Sequence, residues 1–240
     1  MPSSTTESYL QLLGLAVHEF RTPASVVGGY LRMLQRDAAG ELNDRQRKMI
    51  DEAEKSCARL VALIAEMSDV AKLDSGVIAL ARQPVDIFAL VSDVAEHVQE
   101  ARDRDVRLEV RGEDGAAHVN GDATRLRAAF DAIFRAVLRE KGGPCVVVAE
   151  RRRETQNGTR AAVVVVSDAA TVQAAYERER GVFDEKRGGM GLALPLARRV
   201  IEGHGGRITS PAPDAAQSHD PLVVDPVSRG SAIITLPLTE

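Results

Sequence analysis

Aromatic residues are scarce in this sequence: they make up 3% of its 240 residues, and tryptophan is absent. Proteins that hold single-stranded nucleic acid stack bases on aromatic rings, so the platforms for that task are missing. A net charge of -4 argues the same way. Basic residues are interspersed with acidic ones, and the one dense basic run, Arg151-Arg152-Arg153, reads as a solvated hairpin edge. Cysteine is nearly absent. Cys57 and Cys145 are far apart, with no C-x-x-C spacing and no histidine cluster nearby, which argues against a disulfide framework or a zinc site. A reducing, cytoplasmic setting is expected. Long apolar runs are missing too. Runs such as Ala161 to Val166 are far short of the roughly 20 residues a membrane helix needs, and the N-terminus has no charged-then-apolar leader pattern. No direct membrane span is expected, so a stimulus from across a membrane would arrive through an upstream sensor or kinase.

What is present is the balance of an ordinary folded protein, 44% hydrophobic and 28% charged, with length for one large or two small domains. Apolar residues at Leu10, Leu13, Val17, Phe20, Ala24, Val27, Leu31 and Leu34 alternate steps of three and four, the spacing of a coiled-coil seam. A second series, Ile50, Ala53, Cys57, Leu60, Ile64, Met67 and Ala71, repeats it. Between them lies a break at Gly40, then Asn43 as helix cap with Gln46 as its capping-box partner. Residues 1–78 are thus expected to form an antiparallel helical hairpin. One such hairpin buries its stripes poorly, whereas two make a four-helix bundle, so a homodimer is predicted. Cys57 falls on the seam as a small buried hydrophobe.

After Leu73-Asp74-Ser75-Gly76 the pattern changes, and a second domain is expected over residues 84–240. Its candidate helices are Asp86–Ala101, Asp122–Arg139 and Leu192–Glu202; its candidate strands are Val106–Val110, Cys145–Glu150, Ala161–Ser167, Arg207–Thr209 and Ser231–Leu236. Asn157-Gly158 signals a hairpin. These elements suggest an α/β sandwich with helices on one face, giving an α+β chain overall. Ser210 to Pro226, rich in proline, reads as a surface excursion between the last strands.

Heptad geometry places one residue conspicuously. With Val17 and Phe20 in the seam, His18 is turned about 100° from Val17, toward solvent. Pro23 lacks the N–H that would bond the Glu19 carbonyl, so a bend is expected beside the histidine. Glu19 can take the proton from one ring nitrogen, which makes the other more nucleophilic.

The stretch His18-Glu19-Phe20-Arg21-Thr22-Pro23 resembles the H-box of two-component sensor histidine kinases, and the resemblance extends over nearly the whole chain: a dimerising hairpin, then a catalytic domain of the kind shared with gyrase-type ATPases. The resemblance implies that His18 carries a phosphoryl group exchanged with a response-regulator aspartate. It makes Glu19 the acid/base partner and Thr22 the residue that positions water during dephosphorylation. ATP and Mg²⁺ are the cofactors it implies.

The boxes that would hold them depart from the pattern. Asp122, Arg125 and Leu126 keep the register of the family's N-box helix, which puts Ala132 and Ala136 where two magnesium-holding asparagines belong and Arg139 near its end. A methyl group cannot ligate Mg²⁺, which demands oxygen. Asp131 and Arg135, at i and i+4, suit a surface ion pair better than a shifted ligand. The next box keeps Asp168, the implied adenine partner, but has Ala170 and Val172 at its glycine positions. The third is the best preserved: Gly189, Gly191 and Leu192 open a helix whose amides suit phosphate, although Ala193 replaces a usual glycine. Phe183 matches the aromatic before a mobile lid, but the lid segment is short, and His204 reads as structural.

The leading expectation is therefore phosphoryl exchange between His18 and regulator aspartates, with weak or absent ATP-driven self-phosphorylation. An active ATP-dependent sensor kinase and a non-enzymatic dimeric scaffold are the alternatives.

Overall fold

The computed structural model describes residues 4–36, 42–76, 79–156, 158–213 and 225–239. The chain divides into two compact units, with the boundary between Ala79 and Leu80.

The first unit is a helical hairpin of α1 (Ser4–Gln35) and α2 (Asp44–Asp74). α1 runs through Pro23 as one helix. α2 starts where side-chain chemistry dictates: the Asn43 side chain accepts from Gln46 N, while Gln46 Oε1 accepts from Asn43 N, satisfying two donors that the first helical turn leaves unpaired. The break expected at Gly40 lies outside the described residues, as do the side chains of Leu10 and Leu13. Val17, Ala24 and Ile64 are buried together, with Met67 against them, and the Cys57 thiol donates to the Ala24 carbonyl at 3.1 Å. At the last residue of α1, Gln35 Nε2 bridges Asp51 and Glu54 near the start of α2, at 3.0 and 2.6 Å.

The seam is only half used within one chain. Val17 and Ala24 on α1 and Cys57, Ile64 and Ala71 on α2, seven residues apart, are buried, but Phe20, Val27 and Leu60 are 56%, 51% and 49% exposed. A two-helix hairpin can cover one edge of each stripe; the other edge remains in water.

The second unit holds a six-stranded sheet in the order β2 (Val106–Gly112), β4 (Cys145–Gln156), β5 (Thr159–Asp168), β8 (Ala232–Pro237), β7 (Arg207–Pro211), β6 (Arg180–Gly181). β2 and β4 are parallel, and the other neighbours antiparallel. A two-stranded sheet pairs β1 (Gln83–Asp86) with β3 (His118–Gly121). The helices are α3 (Ile87–His97), α4 (Ala123–Arg139), α5 (Val172–Glu177), α6 (Ala193–Gly203) and α7 (Pro226–Arg229). The Asn157 turn lies outside the described residues, but β4 and β5 pair down to Gln156 opposite Thr159.

Three differences from expectation have physical causes. α3 ends at His97, because Val98 turns extended and both Val98 and Ala101 are buried, which draws the backbone out of the helix. β1 and β3 are short and pair only with each other, so neither has a long apolar signature. Helices cover both faces of the sheet, not one. Val163, Val165 and Ile233 pack against Val172 and Ala175 of α5 and Val227 of α7, while α4 contacts β5 as well; every residue from Ala161 to Ser167 is buried. A strand covered on both sides reads as a continuous apolar run, which is what Ala161 to Val166 is.

Candidate functional site

His18 stands on α1 with its side chain 77% exposed, and its Nδ1 lies 3.5 Å from Glu19 Oε1. The geometry follows from the seam: Val17 goes inward, so its neighbour goes out. Thr22, also exposed, is one helical turn on, on the same face as His18. With Nδ1 facing a carboxylate, Nε2 is the ring nitrogen left open to a reactant.

In the second unit the residues expected around a nucleotide are placed less coherently. α4 begins at Asp122, whose side chain accepts from Arg125 N at 3.1 Å. Ala132 and Ala136 are both buried, Ala136 completely. Against Ala136 lies the 3₁₀ turn Arg187–Gly189. A methyl added to Gly188 would stand 2.8 Å from the Ala136 Cα and 2.9 Å from its carbonyl oxygen, so the two backbones touch with no side chain between them. Asp131 pairs with Arg135 at 2.8 Å, the ion pair expected from their spacing. Among the described residues no three His, Cys, Asp or Glu side chains gather as cation ligands.

Asp168 is half-buried at the end of β5 and accepts from Ala170 N at 2.9 Å. Beside it, burial and the Asp168 carboxylate raise the Cys145 thiol above its ordinary pKa. Val172, at an expected glycine position, opens α5 and goes into the core. Gly189 and Gly191 both have positive φ, +60° and +62°, ahead of α6, and Leu192 caps that helix without a side-chain hydrogen bond. Arg139 pairs with Glu100 at 3.2 Å and reaches the Gly188 carbonyl at 3.5 Å.

A cavity of about 880 Å³ opens beside the end of α4, lined among others by Glu140, Lys141, Cys145, Asp184, Arg187 and Arg229. None of Ala132, Ala136, Arg139, Asp168, Gly189, Gly191 and Leu192 is in its lining. Arg187 is the residue that sequence reading missed. Its guanidinium is 2% exposed and donates from Nε and Nη2 to Glu140 Oε2 (3.2 and 2.5 Å) and from Nη1 to the Ser231 carbonyl (2.7 Å). Nη2 also bonds the Arg229 carbonyl, and the group lies 5.3 Å from the Phe183 ring.

His204 is structural. Its Nε2 accepts from the Asp122 N–H at 2.9 Å and its Nδ1 bonds the Val200 carbonyl at 2.6 Å, so a neutral ring ties the end of α6 to the start of α4. Burial pushes its pKa below the ordinary 6.5. The arginines of the basic run are tied down as well: Arg153 to Glu113, Arg151 to Asp114, and Arg152 to Glu150 and, 3.9 Å away, the Tyr176 ring.

Residues 9–76 match the His Kinase A (phospho-acceptor) domain family. The chain is 27% identical over 203 residues to the sensor protein DivL of Caulobacter vibrioides, covering 81% of this chain and 25% of that protein. It is 29% identical over 202 residues to the signal transduction histidine-protein kinase BaeS of Escherichia coli, covering 80% of this chain and 41% of the relative. The chain thus spans less than half the length of either. Among solved structures, full-length ShkA in complex with AMPPNP superposes with a TM-score of 0.67 over 95% of this chain and 46% of that one, at 21% identity. The Acinetobacter baumannii histidine kinase AdeS gives 0.53 over 92% of this chain and 97% of that one, at 15% identity. The hairpin is thus similar to the His Kinase A (phospho-acceptor) domain, and the chain has the fold of these histidine kinase structures.

Proposed function

We propose that this chain is a two-component phosphotransfer protein in which His18 exchanges a phosphoryl group with a receiver-domain aspartate, and in which the ATP-driven step is weak or absent. The observation that carries the reading is the pairing of an exposed His18 with the Glu19 carboxylate at 3.5 Å, inside a phosphoacceptor hairpin. In the proposed step His18 Nε2 attacks the phosphorus of an aspartyl phosphate. The N–P bond forms as the P–O bond to the carboxylate breaks, the carboxylate leaves, and the Nδ1 proton passes to Glu19. The reverse step returns the group. Thr22, one turn away, positions water for hydrolysis.

A homodimer suits this chemistry. Phe20, Val27 and Leu60 continue the seam but lie in water in the single chain, and a second hairpin would bury them. The regulator then docks beside His18 on the completed bundle.

Mg²⁺ and the triphosphate of ATP fit poorly here. The two positions that would supply oxygen ligands are buried alanines, and one has the Gly188 backbone against it. No step is assigned to either group. The alternative, an active ATP-dependent sensor kinase, draws support from Asp168 and from the positive φ of Gly189 and Gly191, which keep the family's backbone pattern.

Incubation with γ-labelled ATP and Mg²⁺ separates these readings. The proposal expects no label at His18, whereas a phosphorylated receiver domain labels it within minutes. Rapid labelling from ATP would overturn the phosphotransfer reading, and label from neither source would leave a scaffold.

A further inference from the structure

The poor fit to a nucleotide has a specific structural counterpart, the turn at Arg187–Gly189. Three side-chain anchors hold this segment. Arg187 reaches Glu140 at the end of α4; Arg198 of α6 pairs with Glu185 at 2.7 Å; and Arg139 of α4 reaches the Gly188 carbonyl. Of these, only Arg187 is fully buried, and each of its nitrogens has an acceptor: the Glu140 carboxylate, the Ser231 carbonyl and the Arg229 carbonyl. A buried cation is tolerated only when it is paired and hydrogen-bonded throughout, so this one fixes its surroundings. The backbone next to it follows. Gly188, in a left-handed conformation at φ +63°, lies directly on Ala136, with no space for even a methyl group between them.

We infer that the Arg187–Gly189 turn is latched onto α4 by the Arg187–Glu140 pair and fills, with the protein's own backbone, the space that the metal-bound phosphates of a nucleotide would need. The inference rests on the resemblance that assigns Ala136 to a metal-ligand position, and it deepens the proposed loss of the ATP step. The contact is made by the Ala136 backbone, so the turn is seated on α4 itself.

Cys145 is a built-in reporter. It lines the same cavity as Arg187, Glu140 and Gly188, and the only other cysteine, Cys57, is buried in the hairpin. Alkylation of Cys145 by iodoacetamide in the full chain therefore reads opening of the segment. Arg187→Ala and, separately, Glu140→Gln are expected to raise its rate by at least about tenfold with far-UV circular dichroism unchanged, because an opened segment exposes the thiol more often. Saturating AMP-PNP with Mg²⁺ is expected to leave the wild-type rate as it was. An unchanged rate in folded variants, or protection of wild-type Cys145 by AMP-PNP, would overturn the latch. If neither variant folds, amide hydrogen exchange at Gly188 to Met190 in the wild type decides: slow exchange supports the latch, and exchange at the rate of free peptide overturns it. Failure of the phosphotransfer reading is a separate outcome, seen as ATP-derived label on His18, and does not by itself move the cysteine readout.

Discussion

The two units treat their decisive positions in opposite ways. In the hairpin, His18 is held out on a continuous helix, its side chain largely exposed and one carboxylate beside it. In the sheet unit, Ala136 has no exposed surface, and a turn from a distant part of the chain is clamped across it. Exposed seam residues lie alongside His18 in the first; a buried, fully bonded arginine lies alongside Ala136 in the second. A side chain that is to meet a partner must stay in water, whereas a position that holds no ligand is best closed over, since an empty polar cleft offers neither packing nor hydrogen bonds.

The contrast can be broken most decisively at His18. His18→Gln is expected to abolish phosphoryl uptake from a phosphorylated receiver domain, measured as acid-labile label, while the fold stays intact; uptake that persists would place the chemistry elsewhere. The next largest effect concerns association. Phe20→Asp with Leu60→Asp removes burial worth about 1.5–3 kcal/mol per side chain in the proposed bundle, so the dimer constant should weaken at least about a hundredfold by sedimentation velocity. Equal sedimentation of variant and wild type would remove the homodimer.

Ala136→Asn sharpens the comparison from the other side. Because Ala136 is completely buried, the larger polar side chain is expected to destabilise the sheet unit by about 1–3 kcal/mol in urea titration, without restoring label from ATP. A gain of ATP labelling would show that the cleft opens readily.

A smaller effect is set by pH. His204 is held neutral with its folded pKa lowered by burial, so its contribution to stability is complete above the ordinary value of 6.5 and is lost as pH falls from there toward the folded value. Urea midpoints of the sheet unit should drop between about pH 7.5 and about pH 5, and His204→Asn should flatten that dependence. The same substitution should cost about 1–3 kcal/mol at neutral pH, because the Asp122 N–H loses a well-placed acceptor. At the bottom of the scale, Val182 is 94% exposed, and Val182→Ser should alter stability by less than about 0.5 kcal/mol.

Much of this architecture is local, and was therefore legible. Asn43 and Gln46 cap α2 across three residues, and Asp122 caps α4 the same way, so their partners are fixed by helical geometry alone. The outward direction of His18 follows from the seam spacing of its neighbours. The seam itself was only partly resolved: spacing puts Phe20 and Val17 on one stripe, and only packing shows that Val17 is covered within the chain and Phe20 is not. Val172 shows the limit at single residues. Its place in the glycine register said nothing of its packing, and the side chain opens α5 and fills the core against Val163 and Val165.

By itself the sequence determined the helical hairpin with its outward histidine and five of the six strands of the main sheet, because each depends on residue type and short-range periodicity; the alanines at 132 and 136 stand at metal-ligand positions only through the family resemblance. Only the tertiary structure decided that Arg187 is buried and that Gly188 closes on Ala136. Arg187 and Glu140 are 47 residues apart along the chain, and a basic residue in a short loop reads as solvated until the fold brings a carboxylate and two carbonyls around it. Burial of a charge is a property of its surroundings, and those surroundings exist only once the sheet and α4 have assembled.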